Sequence, residues 1–315
     1  MSRKPFVKWV GGKSQLTEQL EALLPADFDN RNNVTYIEPF VGGGAMLFYM
    51  LENHRNVIAH AVINDVNTKL IGCYETIRDF PNLLIESLSQ IQEQYYALES
   101  EEEKKEFFLA KREAFNGGEL TILETSTLFI FLNRTCFNGL YRENKRGKFN
   151  VPFGKYSTPK ICDEQTILDD SELLRNVVIL NQDYQETLQY ADGDTFFYFD
   201  PPYRPLSNTS SFNDYTKQPF NDEEQRRLKD FCDEVEAHGY SFMLSNSDCF
   251  GKNGDRFFED LYQDYHIDRV RAKRNVNAIA SKRGELTEIL VHNYAETKQH
   301  TFIFGNGFAA EDRNR

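Results

Sequence analysis

Val34-Thr35-Tyr36-Ile37-Glu38-Pro39-Phe40-Val41-Gly42-Gly43-Gly44 is the stretch that decides the fold class. Its first four residues are β-branched or aromatic and predict a short strand. That strand runs straight into the glycine cluster, and residues 45–51 then carry apolar side chains at helical spacing. A second strand follows over 57–63 and closes on Asn64-Asp65. Strand, glycine loop, helix, strand and acid, in that order, open a nucleotide-binding α/β unit. Glycines at this turn let backbone and ligand touch and aim the next helix N-terminus. The third glycine of a dinucleotide fingerprint is replaced by Leu47, while Asp65 stands 21 residues beyond Gly44, where a carboxylate suits two ribose hydroxyls. The pattern favours an adenosine-containing ligand over a pyrophosphate; a purely structural turn is the alternative.

Upstream, Leu16, Leu20, Leu23 and Leu24 share one face of a helix predicted over 14–24. Gly11-Gly12-Lys13-Ser14 imitates a phosphate loop, but the required first glycine is Val7 and no strand precedes it. Trp9 and Lys13 remain candidates to line a ligand pocket, because two glycines beside the only tryptophan permit close approach. Downstream the pattern turns helical over 68–78, 83–95, 101–115 and 123–134. A segment rich in Gly, Asn, Arg and Lys follows over 138–159, with a hairpin-like turn near Lys145-Arg146-Gly147. Strands are predicted again at 177–180, 196–199, 241–244, 265–270 and 288–291. The economical architecture is one α/β body, 1–67 and 160–298, interrupted by a mainly helical insertion, 68–159, with a basic hairpin at its tip. Residues 299–315 form a polar tail to which no function is assigned.

The strongest chemical signal is Tyr198-Phe199-Asp200-Pro201-Pro202-Tyr203. Aromatic strand residues deliver Asp200 to the carboxyl edge of a sheet, where α/β sites lie. Two prolines fix the backbone and remove N–H donors, leaving carbonyl acceptors in set directions. An aryl amine is a poor nucleophile because its lone pair is conjugated with the ring. The Asp200 carboxylate and the Pro201 carbonyl, gripping its two hydrogens, favour a tetrahedral nitrogen whose lone pair can attack. Tyr203 then stacks on the base that carries the amine. A plain proline turn after a strand is the competing reading.

A formal charge of −13 argues at first against a nucleic-acid partner, but a duplex meets only one face. Between Arg134 and Lys160 seven basic residues face Glu143 alone, and six more from Arg269 to Arg283 face no acid. Solvated surface runs are the bland alternative. The five cysteines lie far apart with no C-x-x-C pair, which argues against a metal site or a disulfide framework and for a reducing cytoplasm. No apolar run approaches the roughly 18 residues of a membrane span, and Met1-Ser2-Arg3-Lys4-Pro5 lacks a signal-peptide core.

With these pieces in order, the chain resembles the Dam-type DNA adenine N6-methyltransferases, especially those acting on GATC. The likeness runs from about Pro5 to Tyr294. It rests on Lys8-Trp9-Val10-Gly11-Gly12-Lys13, Glu38 to Gly44, Phe137-Asn138-Gly139-Leu140-Tyr141-Arg142, Phe149-Asn150-Val151-Pro152-Phe153-Gly154 and Asp200-Pro201-Pro202-Tyr203. Pro205-Leu206-Ser207, Phe212, Tyr215 and Leu244-Ser245-Asn246 continue it. The resemblance implies a Rossmann-like fold that binds S-adenosylmethionine and acts on double-stranded DNA. It implies that Trp9, Lys13, Asp65 and Asp200 line the cofactor site, with Glu38, Phe40, Gly42 and Gly44 of the loop beneath and Asp183 near the adenine. It makes the insertion a target-recognition domain. Phe137 then inserts beside the flipped base with Asn138 nearby, Arg142 reads a guanine, Leu140 and Pro152 pack near the thymine methyl, and Lys8 approaches another guanine. The basic run adds Arg134 and Lys148 as DNA contacts.

Direct attack by N6, without a covalent enzyme intermediate or a metal, is the expected chemistry. Cytosine C5 methylation needs a cysteine nucleophile, and no cysteine follows a proline or adjoins the tetrapeptide. Cytosine N4, RNA adenine and a protein glutamine amide are alternative acceptors, and a DNA-binding regulator that has lost catalysis is the alternative class.

Overall fold

A computed structural model describes residues 5–9, 13, 16–204, 220–273 and 285–298, apart from the side chains at 253, 272, 273, 285 and 286. Gly11, Gly12, the Pro205–Ser207, Phe212 and Tyr215 motif residues, Arg274, Lys282, Arg283 and the tail 299–315 lie outside the described residues.

Among the described residues seven strands form one sheet: β1 (Val34–Glu38), β2 (Ile58–Asn64), β3 (Val177–Leu180), β4 (Thr195–Phe199), β5 (Ser241–Ser247), β6 (His266–Lys273) and β7 (Glu285–His292). Their spatial order is β3-β2-β1-β4-β5-β7-β6, and β7 alone runs against the other six. Strands buried on both faces read as continuous apolar runs, which is why β1 and β4 hide every residue. Side chains alternate between two cores. Tyr36, Ile63, Phe196, Tyr198, Met243 and Leu290 enter one, and Ile37, Val62, Phe197, Phe199, Leu244 and Val291 the other. Each fully buried aromatic contributes roughly 1.5–3 kcal/mol of transfer free energy, so β4, with four in a row, anchors the sheet.

The first core is covered by α1 (Thr17–Ala22), α2 (Ala45–Asn53), α3 (Thr68–Asp79), α4 (Pro81–Tyr96), α5 (Glu101–Gly117), α6 (Ile122–Thr135) and α7 (Glu164–Leu174). The second is covered by α8 (Asp222–Ala237) and α10 (Phe257–Leu261), with α9 (Cys249–Asn253) between them in sequence. Starts are locally specified: Asn67 caps α3, and Ser100–Glu103 and Thr121–Glu124 form capping boxes on α5 and α6. All of α3 to α7 lies inside the crossover from β2 to parallel β3. The helical stretch that interrupts the α/β pattern is thus an enlarged crossover sharing its core with the sheet.

Helices α7 and α8 occupy stretches given no element by the sequence reading, and β6 and β7 run longer than predicted. At the basic tip the turn forms, with Gly147 N–H donating to the Asn144 carbonyl at 2.8 Å. Its arms meet only in isolated bridges, Glu143 with Phe149 and Cys136 with Phe153. Side chains take the backbone groups a longer ladder would use: Asn116 exchanges two bonds with Phe149, and Arg112 donates to the Val151 carbonyl.

Candidate active site

β1 and β4 are neighbours at the centre of the sheet, and the strand order departs from them in opposite directions. Such a switch point opens a crevice at the carboxyl ends of its strands. Glu38 closes β1 and Asp200 immediately follows β4. Lys13 Nζ sits 3.0 Å from Asp200 Oδ1, and the Ser245 hydroxyl of β5 donates to that same oxygen at 2.9 Å. Among the described residues, the hydrogen bonds and ion pair of this carboxylate fall on Oδ1. Lys13 also lies 3.2 Å from Glu288 Oε2 on β7 and donates to the Tyr203 hydroxyl. That hydroxyl in turn donates to Glu288 Oε2 at 2.6 Å.

The electrostatics follow from burial. Desolvation pushes the Asp200 carboxyl above the ordinary carboxylate range; Lys13 pulls against that shift and the Glu288 charge adds to it. Burial alone would depress the Lys13 ammonium, but Asp200 and Glu288 outweigh it and leave its pKa above the usual lysine value. Lys13 is therefore a fixed cation between two carboxylates. Glu38, 2% exposed, accepts from Tyr36 at 2.9 Å, and burial holds its carboxyl well above the ordinary range, with the Asp200 charge adding to the shift.

Beyond the double proline the chain is pinned by amides. Gln225 donates to the Pro202 carbonyl at 3.1 Å, and Asn246 accepts from the Arg204 backbone at 3.2 Å. Arg204 grips Asp222 through two nitrogens and Asp255 through a third. Among the described residues no hydrogen bond reaches the Pro201 carbonyl, which leaves it available as an acceptor.

The residues read as cofactor-binding gather at the same edge. Asp65 accepts from Gly42 N–H at 3.1 Å and from Asn67 N–H at 2.8 Å, one on each oxygen. A carboxylate offers about four acceptor positions, so bonds from the described residues take two and leave two for a ligand's hydroxyls. The half-buried Trp9 packs on the glycine loop so closely that a Cβ on Gly43 would meet its Cβ at 2.6 Å. Its ring stacks on Tyr141 at 5.7 Å and on Phe129 of α6 at 6.4 Å, tying the loop to the crossover. Gly44, at φ +74°, lies under the Tyr74 hydroxyl, which donates to the Gly42 carbonyl at 3.0 Å. Phe40 packs on Tyr184, and beside it Asp183 is held by Arg227 at 2.8 Å. Val66, 56% exposed next to Asp65, offers an open apolar face that the sequence reading did not single out. A carboxylate with spare acceptors, a glycine loop and an open apolar side chain fit a nucleoside.

The residues read as DNA-contacting converge on the basic tip. Phe137, 51% exposed, donates its N–H to the Pro152 carbonyl, and Asn138 beside it holds φ +56°. Arg142 is exposed and steadied by Asn150 at 2.7 Å. Lys8 is exposed next to Gly139, its backbone fixed to Asn133 by bonds of 2.8 Å in each direction. Lys148 and Pro152 are exposed and Leu140 is half-buried. Arg134 behaves differently: its guanidinium turns inward, donates to the Phe6 carbonyl at 2.7 Å, and has its pKa lowered by burial. It pins the N-terminal segment to α6 instead of facing outward. Glu288, Tyr74 and Asn64 carried no assignment in the sequence, and Ser245 was quoted without a role. Asn64 braces the edge by donating to the Pro39 and Gln182 carbonyls at 3.1 and 3.0 Å.

Comparison with known proteins gives a consistent picture. Residues 9–276 match the family described as D12 class N6 adenine-specific DNA methyltransferase. The type II methyltransferase M.MjaIII of Methanocaldococcus jannaschii is 45% identical over 93% of this chain and 100% of its own length. The type II methyltransferase M1.LlaDCHI of Lactococcus lactis subsp. cremoris is 38% identical over 92% of this chain and 95% of its own. A DNA adenine methylase of Haemophilus influenzae is 31% identical, with 92% and 93% covered.

Proposed function

The chain belongs to the D12 class of N6 adenine-specific DNA methyltransferases, and from that premise we propose that it methylates adenine in GATC within double-stranded DNA after extruding the base from the helix. When bound, S-adenosylmethionine supplies an electrophilic methyl group. Asp65, Trp9 and the Glu38–Gly44 loop hold its nucleoside, and Asp200 meets the acceptor amine. The observation that carries this reading is the one-sided hold on Asp200: Lys13 and Ser245 occupy Oδ1, leaving Oδ2 and the Pro201 carbonyl to accept the two amine hydrogens. Lys13 keeps the carboxylate ionised, and the prolines keep its distance to the carbonyl constant. Extruding a base costs a few kcal/mol, and stacking on Tyr203 offsets roughly 1–3 kcal/mol of it.

Residues 68–159 serve in this reading as the target-recognition domain and 1–67 with 160–298 as the catalytic body. Phe137, Asn138, Leu140, Arg142 and Pro152 form the reading surface, Lys8 reaches it from the catalytic body, and Lys148 holds phosphate. Support comes from the bonds that bring the two GATC-type motifs side by side, Phe137 N–H to Pro152 and Arg142 to Asn150. An arginine on guanine O6 and N7 discriminates by about 1–3 kcal/mol. Treated plasmid DNA should resist an endonuclease that cuts only unmethylated GATC; continued cutting at those sites rejects the specificity.

A further inference from the structure

Glu288 lies on the antiparallel strand β7, far in sequence from the residues it meets. It touches two of them with one oxygen: Lys13 at 3.2 Å and the Tyr203 hydroxyl at 2.6 Å. Nothing in the mechanism above uses it. A buried lysine paired with Asp200 alone would neutralise the acceptor on which the reaction depends. A second carboxylate on the same ammonium divides its hydrogen bonds and its field, leaving Asp200 with more negative character for the amine. The same oxygen anchors the hydroxyl end of the Tyr203 side chain, so the ring that is to meet a base is held at both its root and its tip. We propose that Glu288 is a positioning residue for methyl transfer, sharing Lys13 with Asp200 and anchoring the Tyr203 hydroxyl. This rests on the reading of Asp200 as the amine acceptor.

Among the described residues, the groups near Asp200 are Lys13, Ser245 of β5, Glu288 of β7, Glu38 and the Tyr36 hydroxyl of β1, and the Tyr198 and Tyr203 hydroxyls. Of these, Glu288 raises the Asp200 pKa through its charge and Lys13 lowers it. Removing the Glu288 charge therefore lowers the pKa of the acceptor while weakening it.

The test uses the full chain carrying Glu288→Gln, which keeps the size and an acceptor for Tyr203 but not the charge, beside Asp200→Asn. Single-turnover methylation of a GATC duplex is followed against pH, and S-adenosylhomocysteine binding is titrated by calorimetry. The expected result for Glu288→Gln is methylation slower by about tenfold, an acid limb displaced to lower pH, and thioether binding within about twofold of the parent. A slowed reaction with an undisplaced acid limb, or loss of thioether binding, makes Glu288 a structural residue and overturns the inference. So does a normal rate in Glu288→Gln alongside an inactive Asp200→Asn, a pair of results that leaves the proposed function standing. Normal turnover in Asp200→Asn rejects that function itself.

Discussion

Lys13 joins elements the sequence keeps apart, and its side chain is 3% exposed between two carboxylates. Breaking a buried charge group by removing one partner costs about 3–5 kcal/mol, so Lys13→Met should lose stability of that order in urea denaturation. Its effect on catalysis has a definite sign. In the proposed reading Asp200 must be ionised to accept the amine, so activity should fall as pH drops through its pKa, which burial already raises. Lys13 is the charge that opposes that rise; without it the acid limb of the rate–pH profile should move to higher pH, and an unmoved limb would contradict the arrangement. At this scale the sequence was partly legible. That Asp200, Pro201 and Tyr203 stand together was legible because they are contiguous in the chain. The place of Glu288 was not, because it meets Tyr203 only through the fold, 85 positions along the chain.

In the proposed reading the glycine loop after β1 is the element on which cofactor binding depends. Gly44 holds φ +74°, and a Cβ there would stand 2.5 Å from the Tyr74 hydroxyl and 2.9 Å from the Phe48 ring. Left-handed backbone and overpacking each cost an alanine about 1–2 kcal/mol. Gly44→Ala should therefore lose roughly 2–4 kcal/mol in urea denaturation and weaken S-adenosylmethionine binding by calorimetry. Gly193→Ala, at φ +48° with nothing within 4 Å of the new Cβ, should lose only the backbone share and leave binding intact. Equal losses at the two sites would show that the Tyr74 and Phe48 contacts do not matter. Elements of this kind were legible because an unbroken run of β-branched or aromatic residues and a glycine cluster are local signals. The basic hairpin was legible only as a turn, since Asn116 and Arg112, distant in sequence, decide how its arms are held. Likewise α7 mixes Asp169, Asp170 and Glu172 into its apolar period, and the buried Asp170 breaks the pattern outright.

Across the whole molecule a charge of −13 coexists with an exposed basic tip carrying Arg142, Lys145, Arg146 and Lys148. Affinity for DNA should thus fall steeply with salt despite the acidic total, because each phosphate contact contributes a slope of about −0.9 in log affinity against log salt. Fluorescence anisotropy should show the slope reduced by about one in Lys148→Ala and unchanged in Lys105→Ala, whose side chain lies in the acidic run Glu101–Glu106. A shared reduction would mean that the duplex does not settle on the tip. The sheet order was legible as a class, since alternating strands and helices admit few topologies. That α3 to α7 all lie in one crossover was not, because β2 and β3 pair across more than a hundred residues. In the proposed reading Asp200, held through one oxygen at the β1–β4 switch point, drives methylation of the adenine amine. Nucleoside mass spectrometry of a GATC duplex incubated with S-adenosylmethionine tests it most directly, comparing the native chain with Asp200→Asn shown to be folded by circular dichroism. N6-methyladenine from the native chain and none from the variant is the predicted result; N4-methylcytosine, or N6-methyladenine formed by the variant at the native rate, would contradict it.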